Sequence, residues 1–206
     1  MSVSVITYHV GMGRWEPDAR GRLMKAAFEL FFEHGFEQAT VTEIARRAGL
    51  TERTFFRHFA DKREVLFSGA GALQELLVSK VDDAAPSLSP IEAIAAALVE
   101  VATAVFEQRR EFARQRQAVI AANEELQERE LIKLASLASA LAGALRGRGV
   151  SDPAASLAAQ AGIAVFKTAF ELWTSEASER TLSELIQESM DELALVTAGR
   201  RPAVRL

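Results

Sequence analysis

The chain has 206 residues, 49% hydrophobic and 25% charged, with a formal net charge of −4, values of a soluble globular protein with room for one large or two small domains. It has no cysteine, which excludes disulfides, thiolate nucleophiles and cysteine metal sites and fits a reducing cytoplasm. No apolar run approaches the roughly 20 residues needed to span a bilayer, and alanine-rich runs such as "AALVEVATAVF" with few prolines point to an all-α fold.

The opening "MSVSVITYHVG" lacks the basic start and long apolar stretch of a secretory signal. Residues 1–13 read as a tail, with Met12 an alternative start. A first helix is expected from Pro17, a residue favoured at the first helical position, to Gly35. Leu23, Ala26, Ala27, Leu30 and Phe31 give it one apolar face. The second helix is announced by "TVTE", in which Thr40 and Glu43 form a capping box. Val41, Ile44, Ala45 and Ala48 form its inner face, and Gly49 ends it. Thr51 caps a third helix after a three-residue turn.

Two short helices joined through such a glycine form a helix-turn-helix, whose second member enters a DNA major groove. Leu50, Phe55 and Phe59 are expected inward. Glu52, Arg53, Thr54, Arg57 and His58 are expected on or beside the opposite face. Charge agrees with that division: residues 1–67 carry ten Lys/Arg against nine Asp/Glu, and residues 68–206 carry fourteen against nineteen. Between 40 and 63 the count is six basic to three acidic. A basic segment on an acidic body still attracts phosphate, because fields decay within about 10 Å at moderate salt.

A fourth helix is expected from "ADKREVLF", with Asp61 as N-cap, Glu64 at its third position and Lys62 in its first turn, running on through "SGAGALQELL". After the linker "DDAAPSLSP", Ser89 and Glu92 start another capped helix. Helical patterns follow over 90–108, 111–122, 124–146, 153–175 and 182–198, with Asn123, Asp152 and Thr181 as caps or breaks and "RGRGVSDP" as the clearest loop. The expectation is about nine helices and three segments: a tail over 1–13, a helix-turn-helix domain over 14–67 and a helical body over 68–206.

The segment "GFEQATVTEIARRAGLTERTFFRHFADKREVLF" resembles the DNA-binding domain of TetR-family transcriptional regulators. In detail the resemblance covers 14–67, and beyond that the number and order of helices. It implies a repressor with a three-helix DNA-binding head and a divergent body that binds a small effector and dimerises. It also implies DNA contacts at Thr42, Arg53, Thr54, Phe56, Arg57, His58 and Lys62, with Lys62 on a phosphate. Phe56 occupies a position commonly held by Tyr and cannot donate a hydrogen bond. Glu52 either accepts from a cytosine amino group or simply sits where the helix dipole favours it. Arg46, Arg47 and Arg63 fit a solvated face and direct contact equally.

The run from "FEQRREFARQRQAVIAANEELQERELIKLASLASAL" to "FKTAFELWTSEASERTLSELIQESMDELALV" resembles the ligand domain of the mycofactocin-type branch, which implies an acyl-CoA-like effector. Val105, Phe106, Phe112, Ile120, Leu134 and Phe166 are candidates to line its site, with Arg116 toward an anionic head; plain helix packing and surface charge are the competing readings. The last two long helices are expected to form a homodimer through Phe170, Trp173, Leu185, Ile186, Met190 and Leu193 unless these bury within the subunit. In the resemblance's terms, effector shifts the fourth helix and lowers operator affinity.

An enzyme is the weaker reading. His9, His34 and His58 fall in a tail, a helix end and the DNA face, and no phosphate loop, paired-carboxylate or metal-ligand set is present. No cofactor or membrane contact is expected. A helical scaffold without sequence-specific DNA binding is the remaining alternative.

Overall fold

The computed structural model describes residues 18–175 and 179–199; the expected tail, Met12, His9 and the Pro17 helix start lie outside them. Among the described residues the structure has ten α-helices, a π turn, a 3-10 turn and no strand. The chain divides into two compact units, one ending at Leu66 and one beginning at Phe67.

The first unit holds α1 (Ala19–His34), α2 (Val41–Arg47), α3 (Glu52–His58) and α4 (Lys62–Leu66). Asp18 caps α1, its carboxylate accepting from Gly21 N–H at 2.8 Å. The stripe Leu23, Ala27, Leu30 and Phe31 is buried. At α2, Glu43 N–H donates to Thr40 Oγ1 at 3.2 Å and Thr40 N–H returns to Glu43 Oε2 at 3.0 Å. The Thr40 N–H, with the Thr40 hydroxyl donating to the same carboxylate oxygen at 2.8 Å, holds the Glu43 carboxyl below its ordinary range. Gly49 takes φ +67°, the left-handed conformation that side chains resist, and Arg22 of α1 donates to the Ala48 carbonyl, closing the free end of α2.

α3 packs on both α1 and α2. Its Phe55 and Phe59, four residues apart and 5.5 Å between centroids, are buried. Burial of a Phe side chain contributes about 1.5–3 kcal/mol, so this aromatic pair fixes how α3 is rotated and which of its residues remain outside. Glu64 N–H donates to Asp61 Oδ1 at 2.9 Å, as a helix cap should. The expected long fourth helix nevertheless stops at Leu66 and resumes as α5 (Ala70–Asp82). Gly69 and Gly71 lie at the break, and each lowers helix stability by about 1 kcal/mol relative to Ala.

The second unit continues with α6 (Pro90–Val101), α7 (Arg110–Ala121), α8 (Glu124–Gly147), α9 (Asp152–Thr174) and α10 (Leu182–Thr197). Its core gathers Ile94, Leu98, Leu141, Leu145, Trp173 and Leu185 around α9, which contacts α6, α7, α8 and α10. At the α6–α9 crossing a Cβ on Gly162 would stand 2.2 Å from Ile94 Cγ2, so only glycine permits the approach. Arg148 Nη1 donates to the Val81 and Ala84 carbonyls at 2.9 and 2.6 Å, closing the end of α5. Asn123 precedes α8, yet its side chain donates back to Val119 O at 2.6 Å and closes α7 instead. Ser151, not Asp152, stands at the cap position of α9.

The helix expected over 90–108 leaves regular α geometry after Val101, passing through a π turn (Ala102–Phe106) and a 3-10 turn (Glu107–Arg109). Tertiary bonds hold this irregular stretch. Ser183 Oγ donates to Glu107 Oε1 at 2.6 Å, while Arg110 Nε and Nη2 donate to the Trp173 and Ser175 carbonyls at 2.9 and 3.0 Å.

Three of the expected dimer anchors require correction. Trp173, Leu185 and Ile186 are 2%, 1% and 0% exposed, so they hold the unit's own core and offer no surface to a partner. Phe170 is also committed inward, 5.7 Å from Phe106 and 5.6 Å from both Phe166 and Trp173. Met190 and Leu193 are half-buried against the same core.

Candidate nucleic-acid interface

The exposed face of the α2–α3 motif follows from its buried one. With Phe55 and Phe59 inward, Arg53, Phe56 and Arg57 emerge together, because residues three and four apart share a helix face. Thr42 is exposed on α2, and its hydroxyl donates to Glu52 Oε1 at 2.6 Å. Glu52 therefore braces α3 against α2, a role that sequence distance concealed. Arg46 is exposed; Arg47 is tied to Glu33 at 2.7 Å and Arg63 to Asp61 at 2.9 Å.

Three expected contacts sit differently. Thr54 is half-buried, its N–H donating to Thr51 Oγ1 at 3.2 Å and its hydroxyl lying 3.1 Å from the same oxygen. His58 is half-buried beside Phe59, with its Nε2 enclosed and without a hydrogen-bond partner. Lys62 departs furthest from its expected phosphate role. Its ammonium donates to the carbonyls of Phe36, Glu37 and Ala39 at 2.8, 3.2 and 3.1 Å and rests 4.3 Å from the Phe36 ring centroid. All three N–H groups are thus spent on the α1–α2 turn. Arg22 and Arg20 were absent from the expected set. Arg22 closes α2, and the Arg20 guanidinium lies 5.3 Å from the Phe59 centroid.

In the second unit the expected effector residues fall into separate groups. Phe106 of the π turn and Phe166 of α9 meet at 5.9 Å, and Phe170 of α9, an expected dimer anchor, joins them at 5.7 and 5.6 Å. Val105 and Leu134 are half-buried against the core, Ile120 is buried, and Phe112 is exposed. Arg116 Nη1 donates to Glu130 Oε1 at 3.2 Å, and the guanidinium lies 5.2 Å from the Phe67 ring centroid. Burial lowers the Arg116 pKa, while the Glu130 carboxylate opposes the change. Among the described residues no group of three or more His, Asp or Glu is placed to hold a metal, and no helix is long and apolar enough to cross a membrane.

Comparison with known proteins agrees with this layout. Residues 23–68 match the profile of bacterial regulatory proteins of the tetR family, and residues 88–198 match that of the MftR C-terminal domain. The chain belongs to the TetR family. Among its relatives is the HTH-type transcriptional regulator TcmR of Streptomyces glaucescens, 36% identical over 78 residues, which is 38% of this chain and 34% of TcmR. That match therefore spans only about a third of the relative. Whole-chain TetR folds are also similar. FadR of Bacillus subtilis, solved with stearoyl-CoA, superposes with a TM-score of 0.57 at 21% identity over 88% of this chain and 99% of FadR. Thermus thermophilus FadR, a TetR-family repressor solved with lauroyl-CoA, gives 0.51 at 24% identity over 91% and 98%. At these identities the likeness establishes the TetR fold.

Proposed function

We propose that this TetR-family regulator is a DNA-binding transcriptional repressor that acts in the cytoplasm by binding rather than catalysis. The observation that carries the reading is the outward face of α3, where Arg53, Phe56 and Arg57 stand opposite the buried Phe55 and Phe59. Arg53 and Arg57 supply the guanidinium groups that read guanine or pair with phosphate, and Thr42 stands beside them on α2. One such motif makes few contacts, so a two-fold dimer spanning half-sites about 34–36 Å apart completes the reader. In place of the core residues, the partner face runs along the exposed side of α9 through Leu157, Ala164, Thr168 and Leu172, joined by Val196 of α10.

The effector is a small molecule with an anionic head and an apolar chain, of the acyl-CoA class. Two features support this: the Arg116–Glu130 pair, whose guanidinium an anion can claim by displacing the carboxylate, and the aromatic cluster on the π turn. Both FadR neighbours were solved with long acyl-CoA ligands. Effector binding releases the operator, and a coupling of about 1–3 kcal/mol lowers DNA affinity roughly 5–150-fold.

The test is a mobility-shift titration of the full chain on the duplex upstream of its own coding region. Expected are sequence-selective binding, steep weakening with salt, release by an acyl-CoA, and relaxed preference at one base pair in Arg53→Ala. Equal affinity for unrelated duplexes would refute it.

A further inference from the structure

Among the described residues up to Leu66, Phe56 is the only large apolar side chain left exposed, at 55%. Nothing in the fold of that unit requires a ring there. The inner face of α3 is already complete with Phe55 and Phe59, and Phe56, one residue on, is turned about 100° away from it. Its ring stands edge to face against Phe55, 5.5 Å between centroids and 85° between planes. Because Phe55 is fully buried, it acts as a fixed stop that limits where the exposed ring can go. Arg53 and Arg57 flank the ring on the same face.

A phenyl ring neither donates nor accepts a conventional hydrogen bond, so it recognises neither a phosphate oxygen nor the polar edge of a base. In a major groove the apolar group a duplex presents is the C5-methyl of thymine. The adjacent guanidinium groups bring the helix to the phosphates and guanines around it. We infer that Phe56 is a specificity-determining residue that packs on the C5-methyl of one thymine in each operator half-site. This rests on the proposed operator reading and adds to it a base and the atom by which that base is chosen.

The competing arrangement sets the ring against deoxyribose, which is the same for every base. Replacing thymine by deoxyuridine separates the two, because every hydrogen-bonding group is kept and only the methyl is lost. Burying one methyl is worth about 4-fold in affinity, so losing it at both half-sites of a two-fold complex costs roughly 15-fold.

The full chain is used to enrich duplexes from a random pool, and each thymine of the recovered sequence is replaced in turn by deoxyuridine. One position per half-site should show the 4-fold loss with the wild-type chain and none with Phe56→Ala, whose exposed position leaves the fold intact by circular dichroism. Should Phe56→Ala bind too weakly to titrate, Phe56→Leu serves as the second variant. It must keep a measurable uracil penalty at that position, and absence of the penalty overturns the inference. Failure to enrich any sequence overturns the operator reading and this inference together. Enrichment without a uracil effect, or with the same effect in Phe56→Ala, overturns the inference alone.

Discussion

Replacing Lys62 by Met keeps the side-chain stem over the Phe36 ring and removes the ammonium that serves the Phe36, Glu37 and Ala39 carbonyls. A hydrogen bond to a charged group contributes about 1.5–3 kcal/mol, and a cation over an aromatic face about 0.5–1 kcal/mol at an exposed site. The three bonds share one charge and the Glu37 carbonyl is exposed, so their contributions do not add; about 2–3 kcal/mol is expected in total. Native-state hydrogen exchange reads this locally. The amides of Gly35 and Ile44, bonded to the Phe31 and Thr40 carbonyls, bracket the turn. They should exchange roughly 30- to 140-fold faster in Lys62→Met. The slope of DNA affinity against salt should not change, because no phosphate contact is lost. Unchanged exchange together with a slope reduced by about 0.9 would show that the lysine serves a phosphate and would refute this assignment.

Gly162→Ala should destabilise the second unit by about 1–3 kcal/mol through the clash with Ile94, read as a lower melting temperature. Ile186→Ala, in the core, should cost about 2–5 kcal/mol of stability without selectively splitting a dimer. Leu157→Asp, at a side chain 71% exposed, should leave folding intact and shift the sedimentation equilibrium toward monomer. If the core variant alone weakens assembly, the α9 face is not the interface. The carboxyls of Glu43, Glu92 and Glu184 are all lowered by bonds to their cap residues Thr40, Ser89 and Thr181. Their contribution is therefore full above the ordinary carboxylate range and fades as the pH falls through the lowered values. Replacing these residues with Gln should lower the neutral plateau of a stability–pH curve slightly, leave stability below the carboxylate range nearly unchanged, and so flatten the acid limb between them.

What could be read in the sequence was local. The pairs Thr40–Glu43, Ser89–Glu92 and Thr181–Glu184 declare helix starts because both halves of the box lie within one turn. The inward set Phe55 and Phe59 follows from helical spacing, as does the outward position of Arg53. Contacts between elements were not readable. Lys62 meets carbonyls 23 to 26 residues away, and Thr42 reaches Glu52 across the turn. Nothing in the spacing of either residue names its partner. α9 and α10 misled for a related reason. α9 is surrounded by four other helices, so apolar residues occur around most of its circumference, and no periodicity separates the buried Trp173 from the exposed Leu157 and Leu172. The π turn was hidden because Glu107 and Arg110, which hold it, bond to residues more than 60 positions away.

Arg22 and Gly49 are bound to one another's fate. A Cβ at position 49 would fall 2.8 Å from the Arg22 guanidinium, while the backbone there keeps its φ of +67° whatever Arg22 does. Shortening Arg22 therefore removes the crowding at position 49 but leaves the torsional cost, and it strips the Ala48 carbonyl of its donor. Neither replacement has a fixed effect apart from the other, so the two changes combine non-additively.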